Sequence, residues 1–320
     1  MQQSELDYGN SFKSAWCYEM QLDKYVNTFG RYLKLKYQQR IKKVTINAAF
    51  TCPNRDGSLG RGGCTFCNVK SFNNATDEQS IVSQIHQGKA EHGNKSDKYL
   101  AYFQAYTSTY QEVEYLRQKY QQALAEINVI GLCVGTRPDC VPDEVLMLLK
   151  EYVDQGYEVW LELGLQSASN KTLKRINRGH DFSAYQDAVT RASAYGIKIC
   201  THLIVGLPGE QLAESMTTLE QVLAHPVDGL KIHPLHIVQG SIMAKAYRAN
   251  RLEVLSMEAY AEIAGSLIRH TPEEIIFHRV SATAHKESLI APQWCLLRWP
   301  SINEVCRNLD QYGAQGAALS

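Results

Sequence analysis

Short apolar runs alternate with amphipathic stretches along most of this 320-residue chain. The runs are rich in β-branched residues and as short as buried strands, and they cover residues 44–50, 99–104, 129–135, 159–165, 197–205 and 229–236. Between them, apolar residues recur at helical spacing near residues 76–90, 111–127, 142–155, 182–195 and 210–224. Repeats of roughly 30 residues are typical of βαβ units. We therefore predict an α/β fold with six strand-helix units and a parallel sheet, curled or open.

Polar segments follow the apolar runs at the points where the predicted strands end. Thr136-Arg137 follows the third run, Gln166-Ser167 follows the fourth, and a cysteine-rich loop follows the first. The carboxyl ends of parallel strands meet at one edge of a sheet. These segments should therefore converge on one site.

The composition excludes several classes of protein. Lys and Arg together number 33, as do Asp and Glu, so no overall charge attracts the chain to nucleic acid or anionic lipid. Hydrophobic residues make up 44% and charged residues 21%, which is typical of a globular enzyme. No apolar run approaches the ~18 residues of a membrane span, and the first residues show no secretion pattern. We expect no membrane segment and a cytoplasmic location.

Three cysteines stand close together in the loop after the first predicted strand. Cys52, Cys64 and Cys67 are spaced C-x11-C-x2-C, and the first gap contains glycines that allow tight turns, at positions 57, 60, 62 and 63. Three thiolates in one loop can bind one metal centre, and a [4Fe-4S] cluster held by three cysteines keeps one iron open to an exchangeable ligand. A zinc site is the alternative, although it usually has a fourth Cys or His at short spacing.

The other cysteines are expected to be structural. The chain has nine cysteines, an odd number, and no export signal, which argues against a disulfide framework. Cys133 and Cys200 fall inside predicted strands and should be small buried side chains. Burial is also the default for the remaining four, because free cysteine is one of the residues most often buried. Whether any of them forms a second metal centre stays open; they are Cys17, Cys140, Cys295 and Cys306.

Glu162 is a carboxylate within an otherwise apolar predicted strand. Side chains alternate along a strand, so Glu162 and Gln166 should lie on the same side of it. A buried carboxylate is costly unless it meets a cation or hydrogen-bond donors. Two interpretations are open: a structural salt bridge, with Arg137 as the candidate partner, and a ligand-binding role.

Residues 24–43 are locally basic and contain interleaved tyrosines. Such a stretch can follow phosphates and stack on bases, so it is a candidate for binding nucleic acid. A solvated helix face is the alternative, because basic stretches are common on surfaces that bind nothing. The basic residues are Lys24, Arg31, Lys34, Lys36, Arg40, Lys42 and Lys43.

The cysteine loop resembles that of the radical S-adenosylmethionine (SAM) superfamily, whose usual signature is C-x3-C-x2-C with an aromatic residue before the last cysteine. Phe66 occupies that place, although the first gap is longer than in the signature. Residues 162–167 (ELGLQS) and 177–180 (NRGH) look like the radical-SAM domain of the Elongator catalytic subunit and, more loosely, like oxygen-independent coproporphyrinogen III oxidase. With residues 52–57 (CPNRDG) and 291–294 (APQW), nearly the whole chain resembles the YhcC-like family of bacterial radical-SAM proteins.

This resemblance implies a [4Fe-4S] cluster and S-adenosyl-L-methionine as cofactors. The implied cluster ligands are Cys52, Cys64 and Cys67. In the coproporphyrinogen oxidase family, a glutamine and an arginine at the places of Gln166 and Arg178 hold the methionine part of the cofactor. Further cofactor contacts are implied for Phe66, beside the adenine, and for Thr136 and Glu162.

The chain also departs from its relatives. Gly135 stands where both named relatives have a cofactor-contacting glutamate, so the contact to the ribose or amino group should differ. We expect no acetyltransferase-like domain after the barrel, so the full Elongator reaction is not expected to carry over.

The resemblance implies a partial (β/α)6 TIM-like radical-SAM barrel in residues 44–236. A basic extension (1–43) would precede it, and a C-terminal capping extension (237–320) would follow it. The capping extension contains a predicted helix near 256–270 and a possible last strand at 275–277. Four of its residues could line a pocket, although exposure to water is the favoured interpretation; they are His278, Arg279, His285 and Lys286.

We expect an enzyme that cleaves SAM reductively and gives a 5′-deoxyadenosyl radical, with an electron donor such as flavodoxin or ferredoxin. RNA is the leading substrate class, and modification of tRNA in particular, because of the Elongator-like strands and the basic stretch. A radical enzyme acting on a small-molecule metabolite is one alternative. A non-catalytic iron-sulfur or zinc protein is another.

Overall fold

The computed structural model describes residues 21–68, 79–93 and 98–319. The strands in chain order are β1 (Ile41–Ile46), β2 (Lys98–Phe103), β3 (Val129–Thr136), β4 (Glu158–Gln166), β5 (Lys198–Val205), β6 (Gly229–Pro234), β7 (Ile237–Val238), β8 (Ile276–Arg279) and β9 (Leu289–Ala291). Seven of them form a curled parallel sheet, in the order β1-β2-β3-β4-β5-β6-β8. Strands β7 and β9 pair in a small antiparallel sheet.

Most of the helices connect the strands and cover the outer face of the sheet. They are α1 (Phe29–Tyr37), α2 (Pro53–Asp56), α3 (Ile81–His92), α4 (Val113–Leu124), α5 (Asp143–Asp154), α6 (Asn170–Arg175), α7 (Phe182–Ala194), α8 (Leu212–Leu223), α9 (Ile242–Arg248), α10 (Met257–Arg269) and α11 (Arg298–Tyr312). Short 3₁₀ turns lie at Leu22–Lys24, Pro138–Cys140 and Gln293–Leu296. The helix starts at Thr28, Ser169 and Asp181 are capped by those side chains, each of which accepts a backbone N–H three residues on.

Strand β4 shows how the sequence divides the two faces of the sheet. Leu161, Leu163 and Leu165 point outward into the main core with the helices, and all three are fully buried. Trp160 points into the barrel, where it packs with residues from α1. Because both faces of the strand are buried, its sequence is a nearly continuous apolar run.

Helix α1 closes the amino end of the barrel. Phe29 packs edge-on against Trp160 and stacks on the ring of His278. The segment before the helix is fixed by the C-terminal part of the chain, because Phe277 N–H donates to the carbonyl of Asn27 at 2.8 Å, and the side chain of Gln315 accepts from Asn27 N–H at 2.8 Å. The two ends of the described chain therefore meet at this face.

The predicted fold class is confirmed, with two differences. The first strand spans Ile41–Ile46 instead of 44–50, because Asn47 leaves the sheet and bonds through its backbone to the side chain of Gln84. The sheet has seven strands instead of six, because the possible last strand, β8, pairs with β6. Of the predicted helix at 76–90, the first residues lie outside the described part, and α3 begins at Ile81.

No helix in the described part of the chain combines the length and the apolarity that crossing a membrane would require.

Candidate active site

A cavity of about 270 Å³ lies at the carboxyl ends of the parallel strands. Its wall includes the three cysteines of the loop, Gln104 after β2, Thr136 at the end of β3 and Gln166 at the end of β4. Residues from β5, β6 and β8 complete it. The polar segments that follow the predicted strands thus lie around one space, as expected from a parallel sheet.

The cysteine loop folds tightly against this cavity. Cys52 directly precedes α2, and Cys67 N–H donates to the carbonyl of Cys64 at 3.0 Å in a turn. Gly63 has φ +77°, and a Cβ there would lie 2.8 Å from the Arg55 guanidinium, so any larger side chain would displace it. Cys64 is buried, and the other two cysteines are partly exposed.

Two asparagines connect the loop to the segment that follows α6. Asn54 is 1% exposed, and its side chain donates to the carbonyl of Asn177 at 2.6 Å and to the sulfur of Cys64 at 3.7 Å. The side chain of Asn177 donates back to the carbonyl of Gly63 at 2.8 Å. No pattern in the sequence predicted this network of hydrogen bonds. The one hint in the sequence was Asn54 itself, an amide side chain two residues after Cys52 in a loop composed mostly of residue types that are usually exposed.

Arg178 links the loop to the end of β4. Its Nη1 lies 3.4 Å from the sulfur of Cys64, and its Nε donates to the carbonyl of Gly164 at 3.2 Å. Gly164 is needed there, because a Cβ would lie 2.9 Å from both the Arg178 guanidinium and the side-chain nitrogen of Gln166. The structure therefore brings Arg178 and Gln166 to the same end of the strand as Cys64.

Gln166 has a backbone conformation unusual for its type. Its φ is +82°, and the pairing of β4 with β5 shifts register between Gly164 and Gln166. Its side-chain amide lines the cavity and makes no hydrogen bond to any residue that the structure describes. Such strain is typical of binding and catalytic sites, where a side chain is aimed at a ligand.

Three further groups present polar or aromatic surface to the cavity. Thr136 is buried, and its hydroxyl pairs with that of Thr109 at 2.6 Å. The hydroxyl of Thr107 is buried and, among the described residues, has no hydrogen-bond partner. Phe66 lines the cavity with part of its ring and packs against a small apolar cluster below the C-terminal elements.

Arg137 is not the partner of Glu162, so this part of the sequence interpretation is wrong. Its guanidinium forms a two-point ion pair with Asp139, two residues on, with N–O distances of 2.9 and 2.8 Å. Its Nη1 is buried, lacks a partner within the described chain and belongs to the cavity wall.

Glu162 instead sits inside the barrel beneath the cavity, fully buried. Lys43 lies 2.5 Å from one carboxylate oxygen and His278 3.4 Å from it; Lys231 lies 3.0 Å and His202 2.8 Å from the other oxygen. As predicted, Glu162 faces the same side of β4 as Gln166, but His202 and Lys231, not Glu162, form the cavity wall. His202 and Lys231 thus lie between Glu162 and the cavity.

This buried cluster has strongly shifted pKa values. Burial alone would raise the pKa of Glu162, but the charges of Lys231 and Lys43 hold it well below its usual range. Burial, aided by repulsion from neighbouring lysines, lowers the pKa of His202 to about 4 and that of His278 to about 3. Burial also lowers the pKa of Lys231 to about 8. At neutral pH the cluster therefore holds one carboxylate, two neutral histidines and two lysines, mostly charged.

Of the four candidates in the C-terminal extension, one lines the cavity. Arg279 belongs to its wall, whereas His278 is turned toward Glu162 inside the barrel. His285 and Lys286 are exposed and lie outside the cavity wall.

The other cysteines that the structure describes are buried: Cys133, Cys140, Cys200, Cys295 and Cys306. Cys17 lies outside the described residues. Within the described ranges, no three Cys, His, Asp or Glu side chains are grouped to hold one metal ion. The cysteines of a [4Fe-4S] cluster bind separate irons and need not meet at one point.

The arrangement is that of an iron-sulfur enzyme that binds S-adenosylmethionine. Residues 52–222 match the family model described as the radical SAM superfamily, and residues 227–311 match the radical SAM C-terminal domain. The chain belongs to the radical SAM superfamily, whose members use a [4Fe-4S] cluster and S-adenosylmethionine.

Among curated proteins, the chain is similar to protein YhcC of Escherichia coli (strain K12), with 58% identity over 302 residues that cover 94% of this chain and 97% of YhcC. A tRNA uridine(34) acetyltransferase of Dehalococcoides mccartyi is 31% identical over 131 residues, or 40% of this chain and 28% of that protein. Among solved structures, Methanocaldococcus infernus Elp3 with an N-terminal deletion has a TM-score of 0.61 at 17% identity. That match covers 86% of this chain and 64% of the Elp3 chain, and it shows a shared fold.

Proposed function

We propose that Cys52, Cys64 and Cys67 bind the [4Fe-4S] cluster and that S-adenosylmethionine binds beside it. The observation that carries this proposal is the convergence of these three thiols with Gln166 and Arg178 on one cavity. Bound together and supplied with one electron by a donor, the two groups would give methionine and a 5′-deoxyadenosyl radical, which could take a hydrogen atom from a substrate.

The residues around the cysteines fit these groups. Arg178 is directed at Cys64 and retains N–H groups that can pair with the carboxylate of S-adenosylmethionine. The free amide of Gln166 can fix the orientation of the amino acid part. Phe66 offers a ring face for the adenine, and Thr136 offers a hydroxyl. Among the described residues, three buried polar atoms of the wall also lack partners, as expected of a site that receives a polar ligand: Nη1 of Arg137, Oγ1 of Thr107 and Nε2 of His236.

Glu162 has an indirect role in this proposal. It fixes Lys231 and His202, which reach the cavity wall, and its negative charge stabilises the lysine inside the barrel. We therefore assign Glu162 as a positioning residue. We also propose a small electron-transfer protein, flavodoxin or ferredoxin, as the electron donor. Cys52 and Cys67 are partly exposed, which leaves the cluster accessible from outside.

We propose RNA, and tRNA in particular, as the substrate class. Support comes from the sequence similarity to proteins named tRNA uridine(34) acetyltransferase and to Elongator complex protein 3 of Schizosaccharomyces pombe, each over less than half of this chain.

The basic stretch at residues 24–43 does not add to this support. Lys36 is paired with Glu158, and Lys43 is paired with Glu162 inside the barrel. Apart from Lys36, the exposed cations of the stretch lie on and around α1, at the amino end of the barrel and therefore opposite the cavity; they are Lys24, Arg31, Lys34 and Arg40. None of these four side chains lines the cavity that contains the cysteine loop.

A small anionic metabolite is the second candidate substrate. The cavity of about 270 Å³ is near the lower limit for a drug-sized ligand, and it has to accommodate the cofactor as well. Its inner wall also carries two cations, Lys231 and Arg279. These two observations favour a compact substrate with an acidic group.

One assay compares both candidates. Cluster-loaded protein is reduced anaerobically with S-adenosylmethionine present, and 5′-deoxyadenosine is measured after adding either purified tRNA or an anionic metabolite fraction below about 1 kDa. The tRNA should come from cells that lack this gene, so that unmodified sites are present. A matched control carries Glu at the exposed cations of the stretch, namely Lys24, Arg31, Lys34 and Arg40.

We expect tRNA to stimulate 5′-deoxyadenosine formation and to gain a mass change in one nucleoside. The charge-reversed control should respond equally, because its substitutions lie at the opposite end of the barrel. Stimulation by the metabolite fraction and not by tRNA would replace RNA by the second candidate. A control that loses its response to tRNA would show that the basic stretch contacts the RNA after all.

A further inference from the structure

The cavity wall is unevenly charged. Among the residues that the structure describes, it contains five basic side chains and no carboxylate: Arg55, Arg137, Arg178, Lys231 and Arg279. The first three lie on the cysteine side. Arg55 donates to the carbonyl of Cys67 at 3.0 Å, and Arg178 is directed at Cys64. The cysteines on this side account for Arg55 and Arg178, and Asp139 forms an ion pair with Arg137.

The other two cations lie together on the opposite side. Lys231 of β6 and Arg279 of β8 are direct partners in the register of the two strands. Like charges at opposed positions of neighbouring strands destabilise a sheet. The repulsion is evident in the pKa of Lys231, which burial lowers to about 8 with a contribution from Arg279.

A register shift in β8 creates this pairing. Leu230 pairs with Phe277, but the next residue, Lys231, pairs with Arg279, so His278 is an extra residue in β8. As a result His278 and Arg279, although consecutive, reach Glu162 and the cavity wall respectively. Bulges near functional sites commonly redirect a side chain in this way.

Among the residues that the structure describes, none supplies an anion that balances Arg279. Within the described ranges, its guanidinium forms no hydrogen bond and no ion pair, although it is partly buried. Lys231 donates to Glu162 at 3.0 Å and to the hydroxyl of Tyr102 at 2.6 Å, which leaves one of its three N–H groups for the cavity. A partly desolvated cation without a partner is unfavourable unless a ligand supplies the missing charge.

Two histidines extend this side of the wall. The rings of His233 and His236 are 4.5 Å apart, and both residues line the cavity beside Arg279. Burial lowers the pKa of His236 to about 4 and that of His233 well below its usual range, so both are neutral at pH 7. They can offer N–H groups without adding to the positive charge.

From this geometry we propose that Lys231 and Arg279 form a subsite for an oxyanion, a carboxylate or a phosphate, of the enzyme's substrate. The inference rests on the radical SAM function proposed above, and it deepens it by naming a chemical group that the substrate carries. In this proposal, S-adenosylmethionine binds at the cysteine side of the cavity, with Arg178 and Gln166. The two neighbouring cations would select a substrate with an acidic group and would hold that acidic end on the side of the cavity opposite the cysteines.

The test measures anion binding directly. The thermal midpoint of cluster-loaded protein with saturating S-adenosylmethionine is followed under anaerobic conditions while inorganic phosphate or acetate replaces chloride at constant ionic strength. A ligand that binds the folded state raises the midpoint with its concentration. The variant is Arg279→Gln, and the control is Arg248→Gln, which removes an exposed arginine of α9 outside the cavity wall.

We expect the wild type and Arg248→Gln to respond equally to the preferred anion. Arg279→Gln should bind it at least about tenfold more weakly, the effect of losing one charge-assisted hydrogen bond. In chloride alone Arg279→Gln should be at least as stable as the wild type, because it relieves the repulsion with Lys231. A preference for phosphate would indicate a nucleotide or phosphorylated substrate, and a preference for acetate a carboxylic acid.

Equal responses of Arg279→Gln and the wild type to both anions would overturn the subsite. So would a loss of stability of Arg279→Gln in chloride, which would mean that the residue is structural, or a weakened affinity of that variant for S-adenosylmethionine itself. These outcomes are independent of the tRNA assay, because the probes are simple anions. Loss of tRNA stimulation with intact anion binding would remove the RNA proposal and leave the subsite in place.

Discussion

The two ends of the barrel interior both contain buried charge, but they satisfy it differently. At the amino end, Glu158 is 2% exposed and accepts hydrogen bonds from five side chains, which are Tyr32, Lys36, Tyr37, Trp160 and Lys198. At the carboxyl end, several donors facing the cavity have no partner in the described chain, among them the Gln166 amide, Arg279 and Nη1 of Arg137.

The two ends of the barrel therefore have different roles: the amino end stabilises the fold, and the carboxyl end binds ligands. A saturated network such as that of Glu158 is closed to ligands, and it fixes α1 across the amino end. Unsatisfied donors around a cavity are a cost to the folded protein that a ligand removes. Glu162 lies between the two ends and is saturated from all sides, yet two of its partners reach the cavity wall. Glu162 therefore connects the two ends of the interior, because it is buried like Glu158 and holds two side chains of the cavity wall in position.

The largest effect should come from the cysteine loop. Cys64→Ala should reduce bound iron to background and abolish the electron paramagnetic resonance signal of the dithionite-reduced cluster, because two thiolates do not hold it. Cleavage of S-adenosylmethionine should fall below detection. The matched control is Cys306→Ala, another buried cysteine, which should retain iron. Full iron content in Cys64→Ala would contradict the ligand assignment.

A comparison of two glutamates tests the division of the interior. Glu162→Gln should reduce the free energy of unfolding by about 3–5 kcal/mol, because it leaves two buried lysines without their anion. Glu158→Gln should cost less, about 1–2 kcal/mol, since the side chains of Lys36 and Lys198 are 45% and 33% exposed and can be hydrated.

Both free energies can be measured by urea unfolding of the iron-free proteins, with tryptophan fluorescence as the signal. If Glu158→Gln reduced the free energy of unfolding more than Glu162→Gln, the prediction would be wrong, and the lysines around Glu162 would have to be balanced by another anion.

The buried histidines predict a loss of stability in mild acid. The folded-state pKa values of His202 and His278 are about 4 and about 3, below the value of ~6.5 in an unfolded chain. The unfolded state therefore binds more protons as the pH falls below about 6.5, and stability declines. Each histidine should contribute about 1 kcal/mol per pH unit until its folded pKa is reached.

The variant His278→Phe should make this pH dependence shallower, because the ring packs between Phe29 and Trp160, where an aromatic side chain fits. Urea midpoints at pH 7, 6 and 5 measure the slope. Replacement of the exposed His285 by Ala should leave the slope as it is. An unchanged slope in His278→Phe would mean that this histidine is already charged in the folded protein.

The smallest effect concerns the strained backbone of Gln166. Gln166→Gly and Gln166→Ala both remove the amide, so both should bind S-adenosylmethionine roughly tenfold more weakly. Only glycine accepts φ +82° without strain, so Gln166→Gly should be more stable than Gln166→Ala by about 1 kcal/mol. Equilibrium binding and urea unfolding measure the two quantities. Equal stability of the two variants would show that residue 166 leaves the positive φ region once the glutamine is replaced.

Patterns in the sequence predicted the strands and the residues at their ends, because these features depend on residues that are close together in the chain. Apolar runs and their spacing gave the strands, and polar residues at strand ends gave the cavity wall. Strand alternation placed Glu162 and Gln166 on one side. The partners of Glu162 were not predictable in this way, because Lys43 is 119 residues away and His278 is 116 residues away. No periodicity reports a contact between strands at that separation.

The basic stretch shows the same limit. Its composition was consistent with a nucleic-acid surface, but the position of α1 depends on Trp160 and β8, which lie far along the chain. Arg279 was one of four candidates for a pocket residue and was not distinguishable from its neighbours. Only the extra residue in β8, a matter of pairing with β6, separates it from His278.

The meeting of the two ends of the chain has a consequence for biosynthesis. Asn27 is held by Phe277 and Gln315, so the segment before α1 has no place to settle until residues made some 250 positions later emerge. Until then the ribosome carries a barrel in which the β6 edge is open, because β8 has not been made. An open strand edge can pair with another chain, so a product truncated before β8 should aggregate more readily than the full chain.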